Sequence, residues 1–177
     1  MLTGRTLLTE DEIIQRTEDL NNEIKERKYV ATILALEKKC LGMITQDYSL
    51  HDIIYTVARG IEQIVPDTYT SVLLLDSTGK HLMHGAAPSL PKEFNEAVDG
   101  IEIGPKVGSC GTAAYFNKQV LVSDIETNPL WENHKNYKDL ALKFGLKACW
   151  STPITVANEK VLGTFALYFK TCKDYLP

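Results

Sequence analysis

Chemistry in this sequence would have to come from four cysteines, four histidines and scattered carboxylates. Cys110 stands out, inside "VGSCGTAAYF", with glycines at 108 and 111 and a helix-prone run behind it. If Ser109 is the N-cap, Cys110 becomes the first helical residue. The free N–H groups and dipole of a helix start favour an anion there and lower a thiol pKa. Gly108 and Gly111 would also let a ligand approach the backbone. Three uses stay open for Cys110: a small residue filling a tight corner, a ligand contact, or a redox thiol. The candidate pocket residues are Ser109, Cys110, Gly111, Thr112, Asp124, Trp131 and Trp150. The tryptophans offer large apolar area and one donor each, suited to a ligand with a flat or apolar part. Trp150 is equally readable as core.

Other chemistries lack their patterns. Cys40, Cys110, Cys149 and Cys172 are widely spaced, with no C-x-x-C, which suits reduced thiols and no structural zinc. His51, His81, His84 and His134 show no ligand spacing and are expected at the solvated surface. Asp124 and Glu126 form no paired-acid pattern, so no catalytic residue is assigned. A net charge of −4 makes nucleic acid a poor partner. No run approaches the roughly 20 apolar residues of a membrane span, and the first residues lack a secretory core, which points to the cytoplasm.

These residues must be positioned by about six strands and several helices in a chain of 177 residues. Residues 1–8 read as a frayed start. Thr9 and Glu12 form a capping box for a long helix over 9–46, until Gly42 and "TQDYS" interrupt it. Ile13, Leu20, Ile24, Ala31, Leu34 and Leu41 fall on an imperfect heptad seam, with Thr17, Arg27 and Lys38 at its polar positions. About 30 residues at about 1.5 Å each make a rod of roughly 45 Å, long enough to overhang a small domain. It reads as a homodimerising stalk. Ser49 and Asp52 start a second helix, with Ile53, Ile54, Val57, Ala58, Ile61 and Ile64 on one face. A hairpin follows ("TSVLLLD", "HLMHGAA"), then a short helix with proline in its first turn and Gly100 after its end. Asn128 and Pro129 start a further turn. A long hairpin turns at Asn158 and Glu159. Helices and hairpins in this order give an α+β fold on an antiparallel sheet.

From about Ser49 to Lys170 the chain resembles a GAF domain. The resemblance rests on "HGAAPSLPKEFNEAVDGIEIGP", "VGSCGTAAY", "VLVSDIETNPLW", "LALKFGLKACWSTPI" and "VLGTFALYF" in that order. The subgroup is that of bacterial histidine kinases and of diguanylate cyclases or cyclic-di-GMP phosphodiesterases. The resemblance implies a six-stranded antiparallel sheet with helices on both faces and a pocket roofed by central helices. It implies a GAF sensory domain over 47–171, and 172–177 as the start of a linker to an output domain. It also implies a non-catalytic regulatory role, a small-molecule ligand and dimerisation through flanking helices. Free methionine-(R)-sulfoxide reductases are GAF proteins with a similar Gly-x-Cys-Gly segment, which keeps a thiol enzyme or sensor using Cys110 as an alternative. That family carries its key cysteine where this chain reads "TNPLWENHKNYKDLA", with none. A ligand-free dimerisation spacer is a third reading. The cofactor stays unknown: no haem, bilin, cyclic-nucleotide or metal motif is present.

Overall fold

The computed structural model describes residues 9–132, 135–157 and 160–173. The expectations for residues 1–8, His134, the Asn158–Glu159 turn and positions 174–177 lie outside the described residues.

Helix α1, Glu10–Thr45, starts on the expected capping box. The Glu12 N–H donates to Thr9 Oγ1 (3.3 Å) and the Thr9 N–H donates to Glu12 Oε2 (2.8 Å). Gly42 does not end it: its backbone stays helical through Thr45, giving 36 residues, or about 54 Å. No residue of α1 is buried. Leu36, Cys40 and Met43 are half-buried against α2 (Leu50–Ile64), which begins on the Ser49 hydroxyl.

The sheet comprises β1 (Thr68–Leu75), β2 (His81–Ala86), β3 (Ile101–Glu102), β4 (Val120–Val122), β5 (Ala148–Val156) and β6 (Lys160–Phe169). Its order is β3-β2-β1-β6-β5-β4, antiparallel throughout. α2 packs on β1 and β2 from one side. α3 (Lys92–Val98), α4 (Gly108–Phe116) and α5 (Lys135–Lys143) cover the other. Pro91 is the N-cap of α3 and not, as expected, inside its first turn. Central strands covered on both faces carry continuous apolar runs, as "VLLL" in β1 does.

Two features fix β1 between its neighbours. A Cβ at Gly163 would stand 2.1 Å from the Leu73 carbonyl oxygen, so only glycine admits the observed approach of β6 to β1. On the α2 face, the nearly buried Glu62 carboxylate accepts from the Thr70 N–H (2.9 Å), the Thr70 hydroxyl (3.1 Å) and the Ser89 hydroxyl (2.6 Å). The β1–β2 ladder begins only at Val72, so Glu62 satisfies a backbone donor that would otherwise be orphaned.

The larger core lies between the sheet and α3–α5. Leu73, Leu82, Phe94, Val122, Ile125 and Trp131 fill it. Cys110, Cys149 and Tyr168 are buried in the same cluster.

Candidate functional site

Residue parity along the central strands decides what faces α4. Tyr168, Ala166 and Thr164 of β6 sit across from Cys149, Ser151 and Pro153 of β5, and Thr164 pairs with Leu73 of β1. Successive side chains alternate faces, so these residues share the α4 side. Trp150 therefore points away from α4. Its ring packs edge-on against Phe169, 4.9 Å between centroids, on the opposite face of the sheet. The structure thus separates Trp150 from the other pocket candidates.

Ser109 is not the N-cap of α4. Val107 holds that position without a side-chain cap, Gly108 starts the helix with φ +55, and Cys110 is its third residue. Ser109 instead bridges two layers. Its buried hydroxyl donates to the Cys149 carbonyl (3.3 Å) and accepts from Trp131 Nε1 (3.2 Å). Trp131, in the Pro129–Trp131 turn started by Asn128, is 2% exposed and packs edge-on against Tyr137 of α5. A Cβ at Gly108 would meet the Tyr137 hydroxyl at 2.9 Å, so the glycine lets α5 close over α4.

Under this roof lies a cavity of about 20 Å³ lined by Leu73, Val98, Ile101, Cys110, Trp131 and Tyr168 among others. Ser109 and Gly111 also border it. That is room for about one water, whereas drug-sized ligands occupy roughly 300–1,000 Å³. A larger ligand would have to displace the Trp131–Tyr137 roof. Thr112 faces inward elsewhere, accepting from the Val107 N–H (3.2 Å) and tying the loop to α4. Asp124 accepts from the Glu126 N–H and the Thr127 hydroxyl, shaping its own turn outside the cavity. The groove between α1 and α2 is roomier, about 380 Å³, but it is open and none of its lining residues is buried.

Cys110 Sγ lies 3.9 Å from Tyr168 Oη. The nearby Cys149 thiol, and then the Ser151, Thr164 and Tyr168 hydroxyls, favour a charged Cys110 sulfur and push its pKa down to about 7 against the effect of burial. Burial pushes Cys149, Tyr168 and Tyr137 up. This cluster of hydroxyls around two thiols was not foreseen from the sequence. The only signal was that Cys149, Ser151, Thr164 and Tyr168 have compatible parity on neighbouring strands. Among the described residues no group of three His, Cys, Asp or Glu side chains could hold a metal ion. His51 Nδ1 bonds to the Gly85 carbonyl (2.9 Å), tying α2 to β2, and His81 Nδ1 to Asp76 (3.0 Å) within the β1–β2 turn.

The GAF domain model matches residues 49–177, the region that builds this sheet and its roof. The chain belongs to the GAF family. A methyl sulfide methyltransferase-associated sensor of Methanosarcina acetivorans is 34% identical over 148 residues, 84% of this chain. The chain spans only 14% of that sensor's length. A structure from Sinorhizobium meliloti, assigned to a two-component sensor histidine kinase, superposes with a TM-score of 0.56 at 18% identity, covering 73% of this chain and 79% of that one. The free methionine-R-sulfoxide reductase of Neisseria meningitidis gives 0.63 at 14% identity, covering 84% and 77%. At such identities these two structures share the GAF fold with this chain and nothing narrower. The family match makes residues 49–177 a GAF domain, and the 34% identical relative is a sensor. Among the described residues, no helix is long and apolar enough to cross a membrane.

Proposed function

We propose that this chain is the non-catalytic sensory module of a larger cytoplasmic signalling protein of the histidine kinase or cyclic-di-GMP type, working as a homodimer through α1. The observation that carries the reading is the α1 seam. Ile13, Leu20, Ile24, Leu34 and Leu41 are 48–58% exposed, and Ala31 is exposed between them. Burying the exposed half of five such side chains contributes about 4–7 kcal/mol per helix, from 1.5–3 kcal/mol for each full burial. Two helices then offer about 8–14 kcal/mol, the same size as an association cost of about 4–15 kcal/mol, so the seam supports a dimer that other contacts tune. A ligand entering beneath Trp131 and Tyr137 would move the roof, and the signal would pass as a choice between two packings of α1. The output chemistry belongs to another domain in this reading, supported by the much greater length of the related sensor.

Light scattering of the chain and of a Leu20→Glu, Ile24→Glu, Leu34→Glu variant tests the dimer. The parent should scatter as a dimer and the variant as a folded monomer. A dimeric variant refutes the α1 assignment. Native mass spectrometry of the purified chain tests the ligand: a retained small molecule lost on Trp131→Ala supports the pocket. Only the bare chain mass, even after incubation with a metabolite library, favours the ligand-free spacer.

A further inference from the structure

Cys110 and Cys149 come from different layers and meet where α4 crosses β5. Ser109, next to one thiol, touches the carbonyl of the other at 3.3 Å. Both cysteines are buried and free; Cys110 keeps 7% exposure and borders the cavity, while Cys149 has none. Two further observations set this pair apart from thiols filling a core. Ser151 and Thr164 are completely buried, and neither hydroxyl has a hydrogen-bond partner by distance and angle among the described residues. Both lie against the Cys110 sulfur, and Tyr168 Oη is 3.9 Å from it. Buried hydroxyls gathered without better partners around one sulfur form a donor cradle for a charged thiolate.

We propose that Cys110 and Cys149 form an oxidation site at which a small hydroperoxide converts the two thiols into a disulfide joining α4 to β5. The Cys110 thiolate attacks one peroxide oxygen and the O–O bond breaks. The departing oxygen takes up a proton and leaves as water. Cys110 is left as a sulfenic acid. The Cys149 sulfur then attacks Cys110, the S–O bond breaks, and the hydroxyl departs as water with the Cys149 proton. The balance for hydrogen peroxide is two thiols plus one peroxide giving one disulfide and two waters. Cys110 is the first to react because it alone borders the cavity; Cys149, behind it, resolves. A cavity this small excludes bulky oxidants and leaves Cys110 open only to the smallest, hydrogen peroxide. The bond would pin the cavity wall to its floor. The site does not depend on whether the cavity also holds a regulatory ligand.

The test uses the whole folded chain with Cys40 and Cys172 replaced by serine, exposed to hydrogen peroxide, then unfolded and alkylated. Loss of both alkylatable thiols is expected, with an intact mass lower by about 2 Da for the two hydrogens removed. A peptide map should link Cys110 to Cys149 within one chain, and dithiothreitol should restore both thiols. The same map on the parent chain needs no substitution and guards against a misfolded variant. In Cys149→Ser, a dimedone adduct should accumulate on Cys110. Two thiols still alkylated after a dose that oxidises Cys172 in the parent overturn the proposal. So does oxygen addition without a Cys110–Cys149 link, or a link only between chains.

Discussion

Replacing Ser109 with alanine should destabilise the domain by more than the loss of one hydroxyl suggests. Ser109 is 1% exposed and Trp131 is 2% exposed, so bulk water does not reach their shared hydrogen bond. Removing the oxygen leaves the Trp131 indole N–H a buried donor without an acceptor, costing about 1–3 kcal/mol. It also removes the bond to the Cys149 carbonyl, worth about 0.5–1.5 kcal/mol net. Ser109→Ala should therefore cost about 2–4 kcal/mol, a large share of the roughly 5–15 kcal/mol of a typical domain. Trp131→Phe deletes the donor itself, so in its background the serine substitution should cost only about 1 kcal/mol. The double-mutant cycle should then show a coupling of about 1–3 kcal/mol, above the roughly 0.3–0.5 kcal/mol scatter of independent sites. Urea unfolding followed by far-ultraviolet circular dichroism measures all four corners without relying on tryptophan fluorescence. Additivity within that scatter, or a Ser109→Ala cost below about 1 kcal/mol, would refute the orphaned-donor argument. Water from the neighbouring cavity would then be the acceptor in place of the hydroxyl.

Gly163→Ala should cost at least about 4 kcal/mol or abolish folding, because the added methyl would sit 2.1 Å from one backbone atom and 3.0 Å from another on β1. A folded variant losing less than about 1 kcal/mol in urea would contradict the Leu74–Gly163 register. Asp76 accepts from the Thr78 hydroxyl and His81 and from the N–H groups of Lys80 and His81, which holds its carboxyl well below the usual range. A carboxyl depressed on folding adds stability above its unfolded pKa, here near 3.8, and loses it as pH falls through the folded value. In a carbon-13 titration its signal should still be that of a carboxylate at about pH 3, where an ordinary aspartate is mostly protonated; a midpoint near 4 would show that the turn does not hold it.

Local patterns carried much of this fold into view. The capping pairs Thr9–Glu12 and Ser49–Asp52 and the cap at Asn128 each act within three residues, so the sequence displays them directly. The two hairpins and the α+β order were legible for the same reason. What stayed hidden depends on contacts between distant segments. Ser109 has the residue type and the place of a helix cap, and only the arrival of Trp131 and the Cys149 carbonyl turns it into a bridge. Glu62 looks like any polar residue on a helix, yet it completes the edge of a strand eight residues on. Trp150 could have been placed by parity with Leu167 and Phe169, but strands buried on both faces do not reveal which face holds the cavity.

Helix α1 carries the argument furthest. It bears two apolar stripes: the outward seam from Ile13 to Leu41, and Leu36, Cys40 and Met43 toward α2. At about 100° per residue the mean directions of the two stripes fall roughly 180° apart. Val30, Ile33 and Ile44 fall between them, so the helix as a whole shows no single apolar side. Such a helix can hold its own domain with one face while offering the other to a second copy. A change in how α2 sits on β1 and β2 would then reach the seam through a rigid rod. The proposed sensory role requires such a link, because the cavity beneath α4 lies on the far side of the sheet from α1. Under the proposed function, the β1–β6 centre, where Gly163 brings two backbones together, is a direct route for a signal from beneath α4.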